Sequence, residues 1–457
     1  MSIDLLVRGD RVVVGGRVVA ASVHVAGGRI VHVGAKSDLP RAAPGARFEV
    51  VDAGDAYVLP GLVDTHVHAN EPGRTHWEGF RTATRAALAG GITTLVEMPL
   101  NSIPATTTLD ALHRKIDASQ GQCFTDVAFW GGVVPGNPRE LVPMLDAGLR
   151  GFKCFLVPSG VDELAHVTRD DLLEALPILA DRDAPLLVHA ELPGPIEAAS
   201  AALRDADPRK YDTWLRSRPA SAEDEAVALM VELAERFRAR VHIVHLSSAG
   251  AIPILARARD SGLRVTAETC PHYLALSAEE IPDGETAYKC APPIRDRENR
   301  RRLWKALEDG LVGQVVADHS PSPPELKALD TGDFCCAWGG ISSLQLTLSV
   351  VWTEARRRSI PIERLVDWMC TTPARLAGLD DRKGEIAVGK DADLTLLDPD
   401  ERWIVDPAVL LHRHKLTPYA GRTLEGRVRT TFLRGMRVFD AGAVGKQPKG
   451  TLLRSLP

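Results

Sequence analysis

His66 and His68 are separated by a single residue. In an extended strand, residues two apart project to the same side, so the pair would aim two imidazoles at one point. Two imidazoles on one face can share a divalent cation; two hydrogen-bonded structural histidines would show the same spacing. Three further groups close short apolar runs: His189 in PLLVHAE, His245 in RVHIVHL and Asp318 in GQVVADH. Lys153 lies late in RGFKCFL. Singly, each has an ordinary reading, a satisfied histidine or a capping aspartate. Jointly, four histidines, one aspartate and one lysine form a metal-ligand set if their strand ends meet. An ammonium cannot bind a cation, but a buried amine beside cations loses its proton readily. The neutral amine can take up CO2 as a carbamate, a carboxylate on a long arm able to bridge two ions. A salt-bridging lysine inside a barrel is the alternative.

The elements needed to gather these groups are legible in the pattern. Candidate strands run over 57–66, 92–99, 124–134, 150–156, 185–191, 240–246, 264–270 and 313–319. Amphipathic helical segments lie between them. The clearest spans 222–238, where Ala226, Leu229, Met230, Leu233, Ala234 and Phe237 recur at helical spacing. Trp77, Phe80, Thr84 and Leu88 do so less cleanly. Eight strand–helix repeats over about 300 residues predict a closed parallel α/β barrel of the (β/α)8 type, whose active site lies at the carboxyl ends of the strands. An open doubly wound sheet would carry a glycine fingerprint after its first strand, and none is present. Residues 3–53 and the last seventy or so read instead as Val-rich, Gly-punctuated hairpins. Neither end has enough strands for a core. The expected organisation is therefore a β-sandwich built from 1–54 plus 385–457, and a barrel over 55–384.

Composition narrows the function classes. Among 457 residues, 55 Lys and Arg face 60 Asp and Glu, a net charge of −5. That argues against a nucleic-acid partner, which needs a basic face. The run RDRENRRRLW at 295–304 is interrupted by Asp296 and Glu298 and reads as a solvated helix face. No apolar run approaches 18 residues, so no membrane contact is expected. Asp4 and Arg8 stand where a signal peptide needs apolar residues. Seven cysteines without a CxxC pair point to reduced thiols and a cytoplasmic protein. Cys335 and Cys336 are adjacent and read as free thiols. His242 faces away from His245 and reads as structural; His76, His113, His166, His412 and His414 read as surface residues.

The segments GLVDTHVHANEPG, GFKCFLVPSG, LLVHAE, VHIVHLSS, ETCPHYL, KCAPPIR and VVADHSP closely resemble, in order, those of the cyclic amidohydrolases: dihydroorotases, hydantoinases and allantoinases. The resemblance covers nearly the whole chain. HVHANEPGRTHWEGF, EMPLNSIPATTT and GFKCFLVPSGVDE are most similar to the allantoinase branch. The resemblance implies metal-dependent hydrolysis of the cyclic amide of allantoin to allantoate. His66, His68 and Asp318 would hold the more buried ion and His189 and His245 the second. Carboxylated Lys153 and a hydroxide would bridge them, with Asp318 shuttling the proton. All six positions match. The ions would be Zn2+, with Co2+, Mn2+ or Fe2+ also compatible. Dihydroorotases carry an arginine where this chain has Asn70, and hydantoinases carry a tyrosine that residues 156–160 (LVPSG), beyond Phe155, do not supply. Both departures point to an uncharged ureide, with Asn70 as a substrate contact. Cys290 (through its backbone), Ser320 and Gly340, with Gly339 and Ile341, are further expected contacts. His272 and His319 are expected to orient the ligands. The resemblance also implies a homotetramer. The alternatives are a hydantoinase or dihydropyrimidinase, a dihydroorotase, and a non-catalytic scaffold, which would usually have lost ligands.

Overall fold

The computed structural model of the protein describes residues 3–40 and 48–454. Residues 41–47, within the stretch 3–53 expected as hairpins, lie outside the described residues. Eight short strands pair in parallel, beginning with Leu62–Val67, Ile92–Glu97 and Asp126–Phe129. They continue with Phe152–Phe155, Leu186–His189, Val241–Ile243, Val265–Thr269 and Gln314–Val315. Nearly every residue in them is buried, as expected of parallel strands covered on both faces. The third strand bends at Trp130 and continues as Gly131–Gly132 beside the fourth. Trp130 N–H donates to Glu97 O, and Gly131 N–H donates to Gly151 O. A parallel bridge between Val67 and His319 joins the last strand to the first, closing the barrel.

Helices cover the barrel. Ala220–Phe237 buries Ala226, Val227, Met230, Leu233 and Ala234. Leu229 and Phe237, expected on the same face, are only partly buried at its edge. No helix among the described residues is long and apolar enough to cross a membrane. All seven cysteines are unpaired.

The segment expected as one strand over 57–66 divides at Gly61. Tyr57–Pro60 leaves the barrel and pairs with both Leu5–Val14 and Leu394–Ile404. Leu62 begins the barrel strand. A Cβ on Gly61 would sit 2.2 Å from Thr93 Oγ1, so the crossing needs a residue without a side chain. Tyr57–Pro60 thus joins the two chain ends in one nine-stranded sheet. Leu5, Val7, Val12, Val23, Val58, Leu394 and Phe432 fill its core, making the small β-sandwich.

A buried ion cluster ties this sandwich to the barrel. Lys383 Nζ lies 2.7 Å from Asp126 on the third strand, 2.9 Å from Asp391 and 2.6 Å from Asp393. Arg434 also pairs with Asp126, and Thr451 N–H donates to the same carboxylate at 2.9 Å. Three buried carboxylates around one ammonium are tolerable only while the cation is present. Lys383→Met is expected to destabilise the protein by about 3–5 kcal/mol, read as a lower urea midpoint with an unchanged slope.

Candidate metal centre

Each proposed ligand lies in or just beyond a barrel strand, and all but Lys153 lie at or near its carboxyl end. His66 is in the first strand and His68 just beyond it, with ring centroids 5.5 Å apart. Lys153 lies within the fourth strand, and His189 ends the fifth. His245 and Asp318 follow the sixth and eighth strands with φ of 39° and 41°. Left-handed backbone is costly for a residue with a Cβ, by about 1–3 kcal/mol, and clusters where function imposes it. Here it turns both side chains into the barrel mouth.

The six groups line one cavity of about 260 Å³. His66 Nε2 lies 3.2 Å from Asp318 Oδ1, and His68 Nε2 lies 3.5 Å from the same oxygen. His189 Nδ1 faces His245 Nε2 at 3.0 Å. Phe155 stacks on His189 at 4.6 Å, and Lys153 Nζ lies 4.9 Å from the Phe155 ring.

Two buried carboxylates fix how these rings can act. His66 Nδ1–H donates to Glu268 Oε1 at 2.5 Å, and His189 Nε2–H donates to Glu191 Oε2 at 2.8 Å. A neutral imidazole that donates from one nitrogen has a lone pair on the other. His189 Nδ1 therefore presents a lone pair to a second imidazole, and the neutral form of His66, the form that binds a metal, would present one from Nε2 to a carboxylate oxygen. A lone pair facing a carboxylate oxygen out of water is repelled unless a cation lies between them. The donor set thus fits divalent ions, and its three most compact members are His66, His68 and Asp318.

Burial sets the protonation states. It pushes His68 down to about 4, although Asp318 opposes it. Burial, with His189 and Lys153 adding repulsion, takes His245 well below the ordinary imidazole range. Both rings are neutral at pH 7, as ligation requires. Burial also lowers Lys153 to about 8, against the pull of Glu268 and Asp318. Burial alone would raise Asp318, but His66 and His68 outweigh it and hold the carboxylate ionised. Glu268 is held low in the same way by His66 and His242.

The other expected site residues fall in several places. Ser320, Gly340 and Cys290 line the cavity. A Cβ on Gly340, at φ 112°, would lie 2.2 Å from Ser320 O. The Cys290 carbonyl accepts Trp214 Nε1–H at 3.1 Å, while its thiol turns to Pro292 O. Asn70 does not line the cavity; it is buried at φ 61°, with its Nδ2 donating to Pro321 O at 3.3 Å. His319 is turned away, its Nε2–H reaching Glu78 at 3.3 Å and its Nδ1 accepting Ser343 N–H. Its carbonyl accepts His68 N–H. His272 is buried near Asp318, and neither ring nitrogen has a hydrogen-bond partner. His242 does not face the cavity: it donates to Glu268 at 3.0 Å and so supports the carboxylate behind His66. His412 is not at the surface. It is fully buried, with its ring 5.5 Å from that of His319, because the loop between the sandwich strands Leu394–Ile404 and Thr423–Leu433 folds over Glu78.

Sequence reasoning missed Glu268, Glu191, Arg218, Lys289, Trp214, Asn101 and Trp338, of which the last five line the cavity. The two glutamates carried a weak signal, one lying two residues after His189 and the other within ETCPHYL. Trp214 and Arg218 carried none, since they come from a helix–loop segment without a motif.

Comparison with known proteins identifies relatives along the whole chain. Residues 57–438 match the family described as "Amidohydrolase family". An allantoinase of Streptomyces avermitilis is 51% identical, covering 100% of this chain and 99% of that protein. The Saccharomyces cerevisiae allantoinase is 47% identical over 87% of this chain and 86% of its own. Among solved structures, the L-hydantoinase (dihydropyrimidinase) from Arthrobacter aurescens superposes with a TM-score of 0.93 at 31% identity. That match covers 99% of this chain and 100% of the other.

Glu268→Gln keeps the shape but loses the charge that orients His66. It is expected to weaken Zn2+ binding about 10–100-fold, measured by competition with a chromogenic chelator.

Proposed function

The chain belongs to the amidohydrolase family, and on that footing we propose that its barrel-mouth cavity opens the ring amide of allantoin to give allantoate. The observation that carries this is the convergence of His66, His68, Lys153, His189, His245 and Asp318 on one cavity, in a chain whose full-length relatives are allantoinases. The protein is a cyclic amide hydrolase. A hydantoinase or dihydropyrimidinase reading has support in the solved structures, but those are 31% and 28% identical, against 51% for the allantoinase.

His66, His68 and Asp318 would hold one divalent ion and His189 and His245 a second, with Lys153, once carboxylated, as a ligand available to both. Such ions, Zn2+ best suited to this imidazole and carboxylate set, supply a nucleophilic water at neutral pH and polarise a carbonyl. Burial lowers the Lys153 pKa to about 8, which favours its free amine. That amine adds CO2 and releases one proton to become a carbamate.

Asp318 carries the proton work. Its carboxylate, held ionised, accepts a proton from the attacking water and returns it to the departing ring nitrogen. The C–N bond of the ring breaks, the water oxygen stays on the carbonyl carbon, and the new carboxylic acid ionises. Trp338 and Phe155 narrow the cavity around the ring, which limits free water near the reacting carbon. Asn70 acts on substrate indirectly. Its Nδ2–H donates to Pro321 O at 3.3 Å, which ties the turn after His68 to the loop that follows Asp318. A cytoplasmic location suits the seven unpaired cysteines, and a homotetramer follows the family resemblance.

A panel of allantoin, hydantoin, dihydrouracil and dihydroorotate should give the highest kcat/KM for allantoin. Preference for another ring would overturn the substrate reading. Asp318→Asn should lower kcat about 10²–10⁴-fold, and Lys153→Ala should lose both bound metal and turnover. Full turnover in Lys153→Ala would remove the carbamate.

A further inference from the structure

One wall of the cavity is held by two buried lysines that form no ion pair among the described residues. Lys289 lines the cavity and is 6% exposed. Its Nζ donates to Cys335 O at 3.2 Å and Ala337 O at 2.5 Å, and lies 4.2 Å from the centre of the Trp214 ring. Lys327, 3% exposed, donates to Trp338 O at 3.1 Å and Gly340 O at 2.5 Å. Four carbonyls of the segment 335–340 are therefore gripped by two cations.

Among the described residues neither lysine forms an ion pair. The other buried lysines outside the metal centre differ. Lys115 has Glu97, and Lys383 has three aspartates. Arg218, which also lines the cavity, is neutralised by Glu191 at 2.7 Å. A cation buried without an opposite charge is disfavoured. Burial accordingly lowers Lys289 to about 8 and Lys327 to about 7. Carbonyl dipoles and an aromatic face offset only part of that cost. The arrangement becomes favourable once an anion occupies the cavity.

The reaction makes such an anion. Ring opening converts a neutral cyclic ureide and water into a carboxylate and a proton. The carboxylate forms inside a cavity whose wall opens on Lys289. We propose that Lys289 and Lys327 give this wall a preference for the carboxylate of the opened ring over a neutral ureide of the same shape. This rests on the hydrolase reading above, since it is that reaction which delivers a carboxylate there. Lys289 and Lys327 act on it through space and through the backbone that they hold.

The test separates charge from shape. N-carbamoylglycinate and N-carbamoylglycinamide are linear ureides of equal size, one anionic and one neutral. Titration calorimetry on the metal-loaded protein should give at least a tenfold tighter Kd for the carboxylate. In Lys289→Met the ratio should fall towards one, while the Kd of the amide changes less than threefold. Lys327→Gln, an independent variant, should do the same, and Lys289→Arg should keep the preference. Loss of both ligands together would make the lysines merely structural and overturn the inference. So would an unchanged ratio, or no preference in the unaltered protein. Failure of the parent reading appears separately, as absence of allantoin turnover by the unaltered protein, and leaves the calorimetry interpretable.

Discussion

Taking four imidazoles, an amine and a carboxylate out of water and converging them within a few ångströms is the constraint on which the rest of this structure depends. Like groups at that distance repel, and each loses solvation. The chain answers with a second layer of fixed charges. Glu268 grips His66 from behind and is itself held by His242 and by Gln314 at 2.9 Å. Glu191 does the same for His189, with Arg218 completing the pair. Each carboxylate directs a lone pair into the cavity and prevents the ring from turning to find another partner. The burial that makes the cluster costly also keeps His68 and His245 neutral, while the neighbouring histidines hold Asp318 ionised against it.

A barrel suits this demand because its strand ends form a rigid ring. Parallel strands buried on both faces fix the Cα positions, and left-handed turns at His245 and Asp318 aim two of the ligands. The sandwich adds stiffness from outside. Its central strand Tyr57–Pro60 continues through Gly61 into the strand that carries His66. The Lys383 cluster ties the sandwich to the third strand. The two domains are therefore coupled through the covalent chain on one side and through buried charge on the other.

The opposite wall of the cavity has a different character. It is irregular backbone, 335–340, and is shaped by hydrogen bonds to lysine side chains in place of a sheet ladder. That division matches the chemistry. The ligand side must not move, whereas the substrate side must fit a ring that changes shape and charge during the reaction.

The barrel was legible in the sequence alone, and so were the six side chains that it gathers around one cavity. Each ligand sits in or beside a short apolar run, and strand and helix periodicities are properties of neighbouring residues. The split end sheet was legible too, from the same texture at both termini. Other features depended on residues far apart in the chain. Glu268 meets His66 across 202 positions, and Lys383 meets Asp126 across 257. Asn70 kept its place in the motif, yet at a left-handed turn its side chain bonds to Pro321 O and does not line the cavity. His412 looked like a surface residue because a loop has no period to betray its burial. Local pattern specifies which elements form and which residues close them. Which carboxylate stands behind which imidazole, and which cations face the substrate, is decided only when packed side chains exclude water and every buried charge must find its partner.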